Sequence, residues 1–398
     1  MVGDLLIRNA RPMGRAATDV LVRDGRIVPF GAVEAAPDGE VIEAGGELLL
    51  PGLVEAHTHL DKTLLGMGWH PNSAGPLLID KIENERRLRR ELGIDPERQS
   101  ARQAVQSLRM GSTHIRSHVD VDTEVGLAGV EGVTATRERY RDAVNIEIVA
   151  FPQSGLLVRP GTLELMEATL RLGAEVVGGL DPGAIDRDPK GHLDAVFGLA
   201  ERHARPVDIH LHEPSELGAF SMELIVERTR ALGLQGRVTV SHAFCLGMAD
   251  RDYARALIAD LARERIAVMT TGAPSRPVPP IRECMEAGVV VCSGSDGIRD
   301  TWGPYGNADM LERAMLLGLR NNFRRDEEVE IALDVCTHGG AKVMALEGYG
   351  LEPGCVADLL LVPGEAPADV VVSRPAKRTV IKGGRIVVRD GEPLVAAP

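Results

Sequence analysis

"PGLVEAHTHLDK", residues 51–62, follows an apolar run at 48–50 and sets His57 and His59 two apart. On an extended strand, residues i and i+2 point to the same side. Both imidazoles then face one point. A single such pair is equally well explained by a polar strand face. It gains meaning only if further strands bring partners to that point.

Working outward, seven more strand candidates follow, at 113–121, 145–155, 174–182, 207–214, 237–244, 265–272 and 288–297, after the first at 52–61. Amphipathic segments lie between them, for example 77–92 and 192–204. Eight β/α alternations match an α/β fold, a (β/α)8 TIM barrel. The rival, a doubly wound open sheet, usually carries a Gly-rich phosphate turn after its first strand. None is present. The ends read differently. "DVLVRDGRIVPFG" (19–31) is strand, Asp24-Gly25 turn, strand, and "RTVIKGGRIVVRDG" (378–391) repeats the pattern. "ADLLLV" (357–362) adds another strand. The expected organisation is a small β-sandwich domain from residues 1–51 and 345–398, with the barrel as catalytic domain over 52–344.

The bulk numbers narrow the function. The 398 residues are 44% hydrophobic and 26% charged, an ordinary globular composition. A net charge of −13 without a basic run disfavours nucleic acid and anionic membrane as partners. No apolar stretch approaches the roughly 20 residues of a membrane span. The start carries Asp4 and no long apolar core, unlike a secretory signal. Five scattered cysteines form no C-x-x-C pair, which favours reduced thiols and a cytoplasmic location. It also excludes the P-C-x-x-C zinc deaminase motif.

In a barrel the C-terminal strand ends share one mouth, where chemistry is done. Strand 1 delivers His57 and His59 there. Strand 5, "DIHLHE", delivers His210, His212 and Glu213, strand 6 His242, and strand 8 Asp296. Three imidazoles and a carboxylate suit one divalent transition metal with a position left for water. The expected ligands are His57, His59, His210 and Asp296. Such an ion would lower the pKa of bound water toward ~7, giving a hydroxide nucleophile. Asp296 is placed to take the water proton, His242 to orient the nucleophile, and Glu213 to carry protons to a leaving nitrogen. Lys62 is expected to hold an oxo group or carboxylate of the substrate. His114 and His118 read as supporting residues, with Arg116 and Asp120 on the same strand face as their partners.

"PGLVEAHTHLDK", "DIHLHE", "VSHAF" and "SGSDG" resemble the amidohydrolase superfamily. "IRSHVDVD", "IVAFPQSG", "VVGGLDP" and "SDGIRDTWGPYGNADML" resemble its cytosine deaminase-like branch, which includes triazine-degrading aminohydrolases. The resemblance implies one zinc or iron ion per chain on the four ligands above. It further implies Glu213 as the proton shuttle, His242 beside the hydroxide, Gln153 as the ring-binding glutamine and Trp302 near the pocket. A homo-oligomer is the default of the family. The implied activity is hydrolytic deamination or amine removal at a C–N bond of a pyrimidine- or triazine-like small molecule. A cyclic amide or ureide hydrolase of the dihydroorotase and hydantoinase type is the alternative. It lacks support in the absence of a lysine from the third and fourth strand segments. A non-catalytic relative is the other.

Two positions depart from cytosine deaminases. Gly297 stands where they carry a second aspartate, so a carboxylate is lost and space is expected to open beside Asp296. His212 adds an imidazole. Gln153 offers both donor and acceptor to an amide-like ring edge. Together these predict that cytosine is a poor substrate and an oxo- or N-substituted ring a better one.

Overall fold

A computed structural model describes residues 3–29 and 39–398. Eight strands form one parallel sheet in chain order. They are β1 (Leu53–Thr58), β2 (Ser112–Asp120), β3 (Asn145–Phe151), β4 (Val176–Leu180), β5 (Val207–His210), β6 (Val238–Ser241), β7 (Ala267–Met269) and β8 (Val291–Cys292). The sheet closes on itself. Ala56 N–H donates to Ser293 O at 3.1 Å, and Asp296 N–H to His57 O at 2.9 Å. The expected (β/α)8 barrel is therefore present.

Strands buried on both faces read as near-continuous apolar runs, and β2 is buried along its whole length. Helices follow the strands, including Pro189–His203 on the outside and Leu78–Glu91 at the mouth, where the amphipathic periods lie. Several strands end sooner than the apolar runs imply. β8 stops at Cys292 and β5 at His210, so Asp296, His212 and Glu213 lie on the turns beyond. Asp181, His242 and Asp296 all have left-handed backbones, with φ of 35°, 70° and 63°. For non-glycine residues that conformation persists only where surroundings enforce it, commonly at functional sites.

Strands from both chain ends form a separate nine-stranded sheet. Leu5–Pro12 is its hinge. The first half pairs with Thr18–Arg23 and Glu40–Glu43, the last residues with Leu48–Pro51. A register shift with Asn9 at φ 53° lets the strand change partners. Leu48–Pro51 then pairs antiparallel with Leu359–Val362 from the other end of the chain. Asp24 and Gly25 (φ 50° and 74°) make the two-residue turn expected there. Residues 30–31 of that expected hairpin lie outside the described residues. Among the described residues, no helix is long and apolar enough to cross a membrane.

Candidate active site

The mouth of the barrel holds a cavity of about 570 Å³. Its floor is the histidine cluster. Ring atoms of His57, His210 and His242 and a carboxylate oxygen of Asp296 lie within 4.8 Å of one another. His59 joins them through Asp296, with Nε2 3.1 Å from Oδ1.

Neighbouring groups fix how these rings point. His57 Nδ1 lies 3.1 Å from Ser241 Oγ, which leaves Nε2 for the cluster. Ser241 in turn donates to Asp208 Oδ1 at 2.6 Å, and Arg116 donates to the other oxygen at 3.1 Å. His59 Nδ1 donates to the His118 carbonyl at 3.0 Å, so its Nε2 carries the lone pair toward Asp296. Second partners of this kind orient metal-binding imidazoles. His57 Nε2, His242 Nε2 and both nitrogens of His210 are buried without a protein hydrogen bond. An unpartnered buried polar atom is costly. Several converging on one carboxylate are the donor set a divalent cation satisfies, so the residues fit the expected ion. Burial, then the neighbouring imidazoles, hold His210 and His242 well below the ordinary histidine value. Both are neutral, with a lone pair to give.

The wall carries the other expected residues. His212 accepts its place from Asp181, whose Oδ2 lies 2.7 Å from Nδ1. Its ring stacks on His242 at 4.2 Å. Burial lowers the His212 pKa, but the Asp181 charge and hydrogen bond outweigh it and raise it overall. Glu213 Oε1 accepts from the Gly183 and Ala184 amides at 2.6 and 2.7 Å, and Oε2 accepts from Ser221. Its carboxylate is thus anchored at the wall, with the pKa raised by burial. Trp302 lines the cavity and donates Nε1–H to Glu85.

Three expectations change. Lys62 reaches the cavity, but its three protons go to Glu85, Asp120 and Gln153, so none remains for a substrate oxygen. Arg116 and Asp120 do not serve the histidines of β2. Arg116 bonds Glu147, Asp208 and a carbonyl, while Asp120 takes Lys62 and Arg89. Gly297 opens no space: a Cβ there would meet Asp300 Oδ2 at 2.0 Å. The Asp300 side chain fills that volume, held by the Trp302 and Gly303 amides at Oδ1. It lines the cavity and supplies a carboxylate from three positions further along. Asp300, Asp181, Ser241 and Asp208 were not singled out from the sequence. The only available signal was the alternation that puts Asp208 and His210 on one strand face.

A closed barrel with a histidine–aspartate cluster at its mouth defines a class of hydrolase, and sequence comparison places the chain in it. The amidohydrolase family model matches residues 40–388, and the chain belongs to that family. It is a hydrolase acting on C–N bonds. It is 31% identical to N-isopropylammelide isopropyl amidohydrolase of Pseudomonas sp. (strain ADP), over 99% of both chains. Among solved structures, N-isopropylammelide isopropylaminohydrolase from Burkholderia multivorans ATCC 17616 superposes with a TM-score of 0.95 at 49% identity. It covers 98% of this chain and 100% of that one. The 5-methylcytosine deaminase from Klebsiella pneumoniae liganded with 5-fluorocytosine gives 0.83 at 30% identity, covering 96% and 97%.

Proposed function

We propose that this chain hydrolyses an exocyclic C–N bond of an oxo-bearing nitrogen heterocycle, a pyrimidine or triazine, releasing ammonia or a small amine. One observation carries the reading: unpartnered histidine nitrogens converge with Asp296 on the floor of the cavity. The relatives that act on such rings support it.

His57, His59, His210 and Asp296 would hold one divalent ion, zinc or iron. When bound, that ion supplies the Lewis acidity that makes water nucleophilic near neutral pH. The protein does the rest. Asp296 takes a proton from the attacking water. His242 Nε2 faces the same point and orients the nucleophile. Glu213 relays a proton toward the departing nitrogen. A C–O bond forms at the ring carbon, the C–N bond breaks, and the amine leaves with the transferred proton. The anchoring amides and Ser221 keep the Glu213 carboxyl at the wall. His212 and Trp302 shape the space around the ring. The occupant is a small molecule, and the enzyme is read as a cytoplasmic homo-oligomer.

The test is a panel of pyrimidines and triazines, including cytosine, isocytosine and N-alkylamino triazinediones, given to ion-loaded enzyme. Released ammonia or amine is assayed, with metal content per chain. One ion per chain and amine release, with cytosine not the best substrate, is the expected result. Ring opening without amine release would replace this reading with a cyclic amide hydrolase.

A further inference from the structure

The cavity wall opposite the histidines is organised around one cation. Lys62 is 2% exposed, so its ammonium depends on protein partners. Its three protons go to Glu85 at 3.1 Å, Asp120 at 3.1 Å and Gln153 Oε1 at 2.7 Å. Arg89 braces the same group, donating to Asp120 at 2.7 Å and Asp61 at 2.8 Å. Burial opposes the charge of Lys62, yet Asp120, Glu85 and Asp61 hold its pKa above the ordinary lysine value. It remains an ammonium, which donates and cannot accept.

That fixes Gln153. The atom facing an ammonium must be the amide oxygen. The amide is planar, so Nε2 points away from Lys62. Gln153 lines the cavity, and its Nε2 has no hydrogen-bond partner among the described residues. A glutamine amide by itself offers both a donor and an acceptor. Here Lys62 takes one lone pair of the oxygen, and the amino group is left without a protein partner among the described residues.

We propose that Lys62 is a positioning residue for substrate selection, holding Gln153 Oε1 so that Nε2 meets an acceptor on the ring. The facing ring atom is then an oxo oxygen. A ring presenting an amino or N–H group there leaves two donors opposed and binds less well. The inference rests on the proposed function, in that the occupant is a nitrogen heterocycle.

Two ring pairs test it on ion-loaded enzyme. Dissociation constants are compared calorimetrically for 2-oxopyrimidine and 2-aminopyrimidine, which carry no amine at the 4-position. Values of kcat/KM are compared for 4-amino-2-oxopyrimidine and 2,4-diaminopyrimidine. In the wild type the oxo ring is favoured about tenfold or more in each pair, the scale of a buried polar mismatch. Lys62→Met frees the amide to turn, and the ratio falls toward one. Gln153→Glu, with Lys62 on one oxygen, turns the other to the cavity, and the preference inverts toward the amino ring. A merely structural role for Lys62 would weaken both rings alike. A folded Lys62→Met with the wild-type ratio overturns the proposal. If that variant does not fold, an uninverted ratio in Gln153→Glu overturns it. Equal binding of both rings by the wild type overturns it while amine release leaves the proposed function standing. An oxo preference in binding without any amine release does the reverse.

Discussion

The two ends of strand β2 treat buried polar groups in opposite ways. At its start, below the barrel, charges are closed off. His114 Nε2 lies 3.3 Å from Lys382 Nζ, which bonds Asp358 at 2.6 Å. Nearby, Arg378 grips both oxygens of Asp309 at 2.8 Å and donates to two carbonyls. At its far end, imidazoles of His57, His210 and His242 sit buried with unpartnered nitrogens. The base pairs its charged groups with one another, and the mouth keeps imidazole nitrogens open for something else. A barrel divides stability and chemistry between its ends in this way. Distance alone does not separate them: Arg116 and Asp208, a satisfied pair, reach up through Ser241 to His57.

The contrast is most sharply tested at the mouth. Asp296→Ala is expected to lower turnover by about 10³-fold or more, the scale on which such charge-stabilising groups act. It also removes the bound ion, while circular dichroism shows a folded chain. A variant with stoichiometric metal and normal turnover would remove Asp296 from the ligand set. Glu213→Gln keeps the ion and loses ~10²–10⁴-fold in kcat, the usual contribution of a positioned proton carrier. A loss below about threefold would leave Glu213 as a wall residue only. At the base the effect moves to stability. Arg378→Met strands the Asp309 carboxylate and is expected to cost about 3–5 kcal/mol in urea unfolding, with kcat per folded molecule unchanged. Unaltered stability would mean that the base is not where the fold is secured.

The smallest effect at neutral pH concerns His114. Burial, then the charge of Lys382, lowers its pKa to about 3 from an ordinary 6.5. The unfolded chain therefore binds a proton that the folded chain refuses. The contribution is fully present above pH 6.5 and is lost as pH falls toward 3. Its slope approaches ~1.4 kcal/mol per pH unit. His114→Gln should flatten the acid limb of stability against pH by one proton. An unchanged limb would assign acid sensitivity to the mouth histidines alone.

Much of this enzyme was written locally in its chain. Apolar runs spaced by amphipathic segments determined the barrel, because strand and helix periods are set by neighbouring residues. The i, i+2 spacing of His57 and His59, and their counterparts past β5, β6 and β8, determined the cluster, because parallel strands deliver their C-terminal ends to one mouth. The Asp24-Gly25 and Gly383-Gly384 turns were legible because only certain residues tolerate positive φ. What the chain did not disclose is which side chain each polar group would choose. Lys62 has several carboxylates in reach, and only packing of the helix Leu78–Glu91 against the mouth gives it Glu85 and leaves Gln153 Oε1 for its third proton. Gly297 reads as empty space until the turn after Asp296 folds Asp300 into it. Ser241 lies opposite His210 in the β5–β6 register, yet its role toward His57 depends on Asp208 taking its proton. A hydrogen bond is directional and saturable, so its partner is decided by three-dimensional proximity that residues tens of positions apart acquire only on folding.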